Sequence, residues 1–375
     1  MRVLLAGGGT AGHINPALAI AACIKRHEPD AEILFAGTPD GMEARLVKNA
    51  GYDFTPIQVK GFWRGFSPED IRHNVKTVCY MLTSPHTAKK IINDFKPDIV
   101  IGTGGYVSGP IVFTAQKMGI KTLIHEQNAF PGVTTKALAK KADVVCLAVQ
   151  EARKLLKIRG KVYVTGNPVR ESIIYKSKAE ARKELGMDDK VCILSFGGSL
   201  GAITINRIAA DLMEWHQNTD AINHIHGYGQ LGAEVFPKML KDRGVNLEGK
   251  KRIDVRRYID NMDTCLAAAD LVICRSGAIT LSELEVAGKA SILIPCPTVS
   301  ENHQYHNALV LQNHHAAIVI EEKNYNKEEF VAVVKDLCMN PEKLQELSRN
   351  ASALAVLDTA DQIYRAVREL VPQND

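Results

Sequence analysis

Residues 3–13 read Val3-Leu4-Leu5-Ala6-Gly7-Gly8-Gly9-Thr10-Ala11-Gly12-His13. In this segment an apolar strand pattern runs into a glycine-rich turn and then into a helix pattern. A second stretch of this kind, residues 191–202, opens the second half of the chain. Glycines at a strand-to-helix turn allow backbone N–H groups to approach an anion, and the helix N-terminus adds partial positive charge. Two such turns predict two nucleotide-type domains with a cleft between them.

Strand patterns alternate with helix patterns along the whole chain. This alternation predicts an α/β fold of doubly wound parallel sheets with helices on both faces. In the first half the predicted strands are residues 3–6, 33–36, 99–102, 122–125, 144–147 and 162–165. In the second half they are residues 192–196, 221–225, 271–274, 291–295 and 317–320.

The turn-rich segment at residues 166–170, Gly-Asn-Pro-Val-Arg, suits a hinge between the halves. We therefore predict an N-terminal domain over residues 1–166 and a C-terminal domain over residues 167–357. The remaining residues, 358–375, contain a helix pattern that we expect to return to the first domain.

Composition excludes several classes of protein. The chain has 375 residues, of which 46% are hydrophobic and 23% charged, so it can bury two cores. Its eight cysteines show no C-x-x-C or His/Cys ligand spacing, which favours reduced thiols in a cytoplasmic protein and no metal site. We expect neither a signal peptide nor a membrane span. The formal charge of +4 is too small to indicate nucleic acid.

The first glycine turn matches the dinucleotide fingerprint G-x-G-x-x-G. A nicotinamide-dependent enzyme also needs an acidic residue at the end of the second strand to bind the ribose. The corresponding residues are Ala36-Gly37-Thr38. This incomplete fingerprint argues against hydride transfer.

His13 is a candidate general base. We expect it to begin the first helix, with Asn15 and Pro16 as the cap and first-turn residues. A helix N-terminus disfavours the imidazolium ion, so a histidine there stays neutral near pH 7 and can accept a proton. The alternative is a histidine that only caps the loop.

A third glycine turn, residues 102–110, and the polar residues His125, Glu126, Gln127 and Asn128 each follow a predicted strand. The carboxyl ends of parallel strands form the edge where open α/β sheets bind ligands. We therefore expect these four side chains to lie at the ligand edge and not all to be buried.

In the second half, a strand runs into residues 275–280 and a helix that contains Glu283. Glu283 is either an acid in the first turn of that helix, favoured by the dipole, or a carboxylate that accepts hydrogen bonds from a ribose. A further polar cluster, residues 301–308, precedes another helix and is a weaker candidate for binding sugar hydroxyls.

Taken together and in order, these motifs resemble the MurG-type N-acetylglucosaminyltransferases of bacterial peptidoglycan synthesis, in glycosyltransferase family 28 of the GT-B superfamily. The resemblance extends over nearly the full chain. It rests on residues 9–13, 103–110, 125–128, 166–170, 197–199, 275–278, Gln304 and 307–308.

The resemblance implies two facing Rossmann-like domains and an inverting transfer. N-Acetylglucosamine would pass from UDP-N-acetylglucosamine to the C4 hydroxyl of the muramoyl sugar of lipid I, giving lipid II. His13 corresponds to the family's proposed base. The implied donor-binding residues are Thr10, Gly12, Asn128, Arg170, Gly198, Ser199, Ile259, Ala278, Glu283 and Gln304. The implied acceptor-binding residues are Thr10, Ala11, Gly12, His13, Gly104, Gly105, Tyr106, His125, Glu126 and Asn128.

The leaving UDP gains negative charge, which enzymes stabilise with a metal ion or with fixed positive dipoles. The sequence contains no D-x-D motif. We therefore predict that helix N-termini, glycine-loop amides and Arg170 stabilise the charge and that no cofactor is required. Stimulation by a divalent cation stays open.

A lipid-linked acceptor implies contact with a membrane. Apolar and basic residues in one segment suit an interfacial patch on an anionic leaflet, namely Phe62, Trp63, Phe66, Met81, Leu82, Lys89 and Lys90. The alternative is a buried helix with a charged edge. The resemblance implies a peripheral protein on the cytoplasmic side of the bacterial cell membrane, with cell-wall or division proteins as candidate partners.

Two other functions remain open from the sequence. A UDP-N-acetylglucosamine 2-epimerase has the same architecture and donor but needs no lipid acceptor. A nucleotide-sugar binding subunit without activity is the second, which the presence of both His13 and Glu283 makes less attractive.

Overall fold

The computed structural model describes residues 1–61, 63, 65, 67–198 and 200–372. These residues form two compact units. Unit 1 consists of Met1–Pro168 with the segment from Asp358 onward, and unit 2 consists of Val169–Leu357.

Unit 1 contains a sheet of seven parallel strands in the order β3-β2-β1-β4-β5-β6-β7. The strands are β1 (Arg2–Gly7), β2 (Glu32–Gly37), β3 (Asp53–Pro56), β4 (Ile99–Gly104), β5 (Lys121–Glu126), β6 (Val144–Leu147) and β7 (Lys161–Val164). The α-helices are α1 (Ala11–His27), α2 (Met42–Asn49), α3 (Pro68–Phe95), α4 (Gly105–Lys117) and α5 (Val133–Leu138).

Unit 2 repeats this architecture with six parallel strands in the order β10-β9-β8-β11-β12-β13. The α-helices begin with α6 (Glu171–Tyr175), α7 (Lys178–Glu184), α8 (Ile203–His216), α9 (Val235–Asp242) and α10 (Met262–Ala268). They continue with α11 (Ala278–Val286), α12 (His303–Asn313), α13 (Lys327–Met339) and α14 (Pro341–Ala353). The strands are β8 (Val191–Phe196), β9 (Ile222–Gly227), β10 (Ile253–Arg256), β11 (Leu271–Cys274), β12 (Ala290–Leu293) and β13 (Ile318–Val319).

The predicted fold class is confirmed: both units are Rossmann-like α/β units with parallel sheets. The sequence analysis missed β3 and β10, each of which lies at one edge of its sheet. Neither strand has a fully buried residue, so neither shows the continuous apolar run that marks an inner parallel strand.

The inner strands of unit 1 are buried on both faces. Leu4, Val100 and Ile124 belong to one apolar cluster, and Leu5 and Ile101 belong to another. Because successive side chains of a strand point to opposite faces, an uninterrupted apolar strand supplies both clusters at once.

Helix α15 (Thr359–Leu370) packs against α1, although unit 2 separates them in the sequence. Ile363 is fully buried in the cluster that covers one face of the unit 1 sheet. Beside it, the carboxylate of Asp361 accepts hydrogen bonds from Arg26 at 2.9 Å and from His27 at 2.7 Å. The helix therefore contributes to the core of unit 1.

Unit 2 contains a chain of buried histidines on α8 and β9. His216 Nε2 lies 2.8 Å from His224 Nδ1, and Ser195 Oγ lies 2.8 Å from both His224 Nε2 and His226 Nδ1. Burial lowers the pKa of His216 to about 4 and that of His226 to about 3, and it lowers the pKa of His224 as well. All three imidazoles are therefore neutral near pH 7.

These lowered pKa values predict that unit 2 loses stability in mild acid. Below pH 6.5 the unfolded chain binds protons at these histidines while the folded chain does not, so the free energy of unfolding decreases as the pH is lowered. Between pH 7.5 and pH 5 we expect a loss of about 2 kcal/mol for each buried histidine. Urea unfolding followed by the fluorescence of Trp215, in α8, measures it.

His216→Leu should reduce this dependence on pH, because one of the three protonation sites is removed. His314 is exposed in the same unit, so His314→Gln serves as the matched control and should leave the dependence unchanged. Equal slopes in the native chain and in His216→Leu would contradict the assignment.

Candidate functional site

Each sheet reverses its strand order beside its first strand, between β1 and β4 in unit 1 and between β8 and β11 in unit 2. Open α/β sheets bind ligands at the carboxyl ends of the strands at such a reversal. In unit 1 the glycine turns that follow β1 and β4 flank the reversal. In unit 2 the turns that follow β8 and β11 do the same. The candidate site of each unit therefore lies at these turns.

Strain and close contacts show why the first turn needs glycine. Gly9 has φ +85°, and a Cβ there would lie 2.8 Å from Cε1 of Tyr106. The Gly9 N–H donates to the carboxylate of Glu43 at 3.3 Å, and Glu43 also accepts from the Thr38 N–H at 3.0 Å. Glu43 is fully buried, and its carboxylate already accepts from one of the N–H groups that we expected to bind a ligand anion. The sequence analysis missed Glu43.

Two hydroxyls join the first and third glycine turns. Thr103 Oγ1 donates to the carbonyl of His13 at 2.7 Å, and Ser108 Oγ lies 2.6 Å from the carbonyl of Ala6. Ser108 Oγ also accepts from the Gly104 N–H at 3.0 Å. Both side chains are fully buried, so these contacts hold the start of α1 against the start of α4.

His13 lies in the first turn of α1, which begins at Ala11 and not at His13 as predicted. Thr10 is the exposed N-cap residue, Gly12 is half-buried like His13, and Pro16 lies in the second turn rather than the first. The ring is anchored because Nδ1 lies 3.1 Å from Oε1 of Gln127.

Gly104, Gly105 and Tyr106 form the beginning of α4 next to this histidine. A Cβ at Gly104 would lie 2.7 Å from His13 Nδ1, and one at Gly105 would lie 2.1 Å from the Gly8 carbonyl. Both glycines have positive φ, of +101° and +75°. The two halves of this site therefore depend on glycine at both positions.

Residues 125–128 are not all buried, as expected, but two of the acceptor candidates among them, His125 and Glu126, do not face solvent. His125, Glu126 and Gln127 are at most 3% exposed, and only Asn128 is half-buried. Glu126 accepts hydrogen bonds from the Asn128 N–H at 3.0 Å and from the Gly132 N–H at 3.2 Å. This carboxylate is therefore used to shape the loop that carries Asn128, whose Nδ2 also donates to it at 3.0 Å.

In unit 2 the turn after β8 contains Gly198, with φ +91°, while Ser199 lies outside the described residues. Gly227, at the end of the neighbouring strand β9, packs against the side chain of Ile259, which is 5% exposed. Neither the N–H nor the C=O of Ile259 bonds to a described residue. These two backbone groups can pair with the edge of a base.

Glu283 lies in the second turn of α11, since the helix begins at Ala278. The first-turn explanation is therefore wrong, and the dipole does not account for this acid. Arg170 Nη2 lies 3.6 Å from its carboxylate, whose side chain is 16% exposed. Burial raises the pKa of Glu283, and the charge of Arg170 opposes this shift. The guanidinium therefore favours the ionised form of this side chain against the effect of burial.

Gln304 is held with its amide oriented. Its Oε1 accepts from the Cys296 N–H at 2.9 Å, and its backbone carbonyl accepts from the fully buried Ser276 hydroxyl at 2.8 Å. The carbonyl side of the amide is therefore occupied, and the Nε2 group can donate to a sugar oxygen.

The sequence analysis also gave no role to Arg275, which joins three strand ends of unit 2. It follows β11, donates to the carbonyl of Ile294 after β12 at 3.0 Å, and pairs with Glu322, beyond β13. The pair is mostly buried. It fixes the loop that leads to Ala278.

Within the described part of the chain, one group of side chains could hold a metal ion, namely Cys23, His27 and Asp361. Ligand spacing did not indicate this group, because only Cys23 and His27, one helical turn apart, are close in the sequence, and Asp361 comes from α15. Arg26 Nη2 lies 2.9 Å from Asp361 Oδ1, so a guanidinium already balances this carboxylate. The group lies on α1 and α15, away from the glycine turns.

Models of one protein family match both units. The glycosyltransferase family 28 N-terminal domain matches residues 3–147, and the C-terminal domain of the same family matches residues 192–363.

Similar proteins match over their full length. A relative from Acetivibrio thermocellus is 42% identical over 99% of this chain and 98% of its own length. One from Desulforamulus reducens is 40% identical over 100% of both. Each is named UDP-N-acetylglucosamine--N-acetylmuramyl-(pentapeptide) pyrophosphoryl-undecaprenol N-acetylglucosamine transferase.

Solved structures show the same fold. MurG of Acinetobacter baumannii matches with a TM-score of 0.79 and 29% identity, over 98% of this chain and 99% of its own. A UDP-GlcNAc 2-epimerase of Neisseria meningitidis, solved with UDP-GlcNAc bound, has a TM-score of 0.68 at 12% identity, over 98% and 100%. The second likeness shows the fold alone.

We expect Gly104→Ala to destabilise unit 1 and Gly132→Ala to have little effect. The first adds a methyl group against the His13 ring, at a backbone conformation (φ +101°, ψ −175°) that is nearly restricted to glycine and costs an L-residue about 1–3 kcal/mol. Gly132 has ordinary extended backbone, with nothing within 4 Å of the new Cβ, so it is the matched control. Thermal unfolding measures both, and equal midpoints would contradict this account of the turn.

Proposed function

The chain belongs to glycosyltransferase family 28, and from this membership we propose that it transfers N-acetylglucosamine from UDP-N-acetylglucosamine to lipid I, forming lipid II in peptidoglycan synthesis. We further propose that the acceptor is the C4 hydroxyl of the muramoyl sugar and that the sugar is transferred with inversion.

The full-length similarity to transferases of this name carries the proposal, since relatives at about 40% identity match both units. The 2-epimerase matches at only 12% identity, which reflects the common fold. A binding subunit without activity needs no base, and an anchored His13 beside the first and third glycine turns favours an enzyme.

The chemistry requires a base for the acceptor hydroxyl and charge stabilisation for the leaving diphosphate. An inverting transfer in one displacement needs a single base and no covalent intermediate. His13 supports this role because it lies half-buried in the first turn of α1, with its ring anchored by the contact of Nδ1 with Gln127 Oε1 at 3.1 Å. We assign the acceptor to unit 1 and the donor to unit 2.

For the donor we assign a separate contact to each chemical part. The N–H and C=O of Ile259 bind the uracil edge, Glu283 accepts from the ribose hydroxyls, and Gln304 Nε2 donates to the amino sugar. The diphosphate is stabilised by the N–H of Gly198, by Ser199 and by Arg170. Ala278 lies at the beginning of α11. Arg170 would then exchange its contact with Glu283 for a phosphate.

For the acceptor we assign the beginnings of α1 and α4, which contain Thr10, Ala11, Gly12, Gly104, Gly105 and Tyr106. Asn128 contacts the sugar from the neighbouring loop. Because His125 and Glu126 are buried, we assign them to support of that loop through hydrogen bonds and not to contact with the substrate.

Release of UDP from UDP-N-acetylglucosamine, with and without a lipid I analogue, tests the function. We expect release to depend on the acceptor, and His13→Ala to lower kcat by about 10²- to 10⁴-fold, the usual contribution of a general base. His27→Ala, in the same helix but bonded to Asp361, is the matched control and should keep near-native turnover.

Other outcomes of this assay point to other functions. Release without acceptor would indicate hydrolysis or epimerisation. No release under any condition would indicate a binding protein or a different donor.

We also propose that α3 contacts the membrane. Exposed apolar residues recur on it at spacings of four, three and four, namely Ile71, Val75, Val78 and Leu82, beside Met81. A solvated helix face is normally polar, so this stripe indicates a binding surface and contradicts the alternative of a buried helix for these residues. No helix in the described residues is long and apolar enough to span a membrane.

The other predicted residues of the patch have different outcomes. Trp63 is 52% exposed and Lys89 is also exposed, whereas Lys90 pairs with Asp94 at 2.6 Å. Phe62 and Phe66 lie outside the described residues. We propose a peripheral location on the cytoplasmic face of the cell membrane. Partners among cell-wall or division proteins stay a prediction.

Cosedimentation with vesicles containing anionic phospholipid tests this patch. Met81→Ser with Leu82→Ser should weaken binding about tenfold or more, because each side chain contributes roughly 1.5–3 kcal/mol when fully buried. Met339→Ser is the matched control, since Met339 is 69% exposed on unit 2. Unchanged binding by the double variant, or binding indifferent to anionic lipid, would contradict the proposal.

A further inference from the structure

We propose that Gln127 is a positioning residue that holds the proton of His13 on Nδ1, so that Nε2 is the atom that accepts the proton of the acceptor hydroxyl. This inference rests on the proposed role of His13 as the base. It does not depend on which residues of the protein contact the sugar.

The hydrogen bonds of Gln127 leave only one orientation for its amide. Its Nε2 lies 2.8 Å from the carbonyl of Thr103 and 3.1 Å from the carbonyl of His125. Carbonyl oxygens only accept hydrogen bonds, so the NH₂ group must be on this side. The opposite atom, Oε1, therefore faces Nδ1 of His13 at 3.1 Å.

The state of the His13 ring follows from this orientation. An amide oxygen can only accept, so the short contact requires a hydrogen on Nδ1. In a neutral imidazole the other nitrogen, Nε2, then carries the lone pair. Gly104 contributes because only a residue without a Cβ leaves space for Nδ1 at this place.

A second imidazole supports the same orientation independently. His125 Nε2 lies 3.0 Å from the carbonyl of Gly166, so it carries the hydrogen. His125 Nδ1 must then accept, and it lies 2.9 Å from Gln127 Nε2. Burial is the main cause of the lowered pKa of His125, which keeps this ring neutral. Gln127 Nε2 thus has three acceptors for its two hydrogens, and all three require the NH₂ group to be on this side.

The amide does what an aspartate does beside many catalytic histidines, but without a charge. It fixes the orientation and tautomer of the ring, and it accepts from the imidazolium formed in the reaction with an amide dipole instead of a carboxylate charge. Gln127 is 3% exposed, so water does not compete for these contacts. Removal of the Gln127 amide should therefore change the tautomer of His13 while it leaves substrate binding largely unchanged.

The test combines ¹⁵N NMR of the histidines with steady-state kinetics in the full chain at pH 8, where an ordinary imidazole is neutral. The His13 signals are assigned by their loss in His13→Gln. We expect His13 of the native chain to be protonated on Nδ1. In Gln127→Met we expect a mixture of tautomers and a kcat at least tenfold lower, with both KM values within about twofold.

Two variants complete the design. Gln116→Met, in the same unit, removes an amide that donates to the Leu138 carbonyl at 3.0 Å, and it should change neither the tautomer nor kcat. In Gln127→Glu one carboxyl oxygen takes the place of Nε2 and faces the carbonyls of Thr103 and His125, so burial should keep that oxygen protonated. The other oxygen still accepts from Nδ1, so this variant should retain the native tautomer, and it replaces Gln127→Met if that variant does not fold.

A native His13 protonated on Nε2, an unchanged tautomer in Gln127→Met, or a mixture of tautomers in Gln127→Glu would overturn the inference. If the native chain shows the Nδ1 proton but releases no UDP in the presence of a lipid I analogue, the proposed function fails while the assignment of the hydrogens stands.

Discussion

The reversal of strand order beside β1 and β8 is the constraint on which the candidate sites depend. Where two neighbouring parallel strands send their connections to opposite faces, the loops separate and leave a place for a ligand. Both units have this reversal, and glycine-containing turns flank it in each. In unit 1 the hydroxyls of Thr103 and Ser108 then join the two turns, so the position of His13 follows from the topology and from two buried hydrogen bonds.

Much of this architecture could be predicted because it is encoded locally. An apolar run of four to six residues followed by glycine marks an inner parallel strand and its turn, and nearly every such run in the sequence is a strand in the structure. Two of the four edge strands, β3 and β10, could not be found this way because polar residues interrupt them, namely Asp53 and Thr55 in β3 and Asp254 and Arg256 in β10.

The parts of the site that could not be predicted depend on pairs that are distant in sequence. We expected His125 and Glu126, the last two residues of β5, to contact a ligand, yet both are buried because backbone groups of their own unit satisfy them. Glu43 gave no signal because its partner is an amide in another turn. Arg275 likewise acquires its role only when three strand ends come together. Burial of a polar side chain is decided by such partners and not by its type.

The return of α15 to unit 1 has a consequence for synthesis of the protein. Unit 2 is continuous in the sequence, so all its strands and helices exist before α15 is translated. Unit 1 must wait, because one face of its core lacks Ile363 and its neighbours until then. At about 5–20 residues per second, translation of unit 2 leaves this face uncovered for roughly 10–40 s. During that interval a nascent chain exposes apolar surface that chaperones can bind, and the two units should become native in the reverse of their order in the sequence.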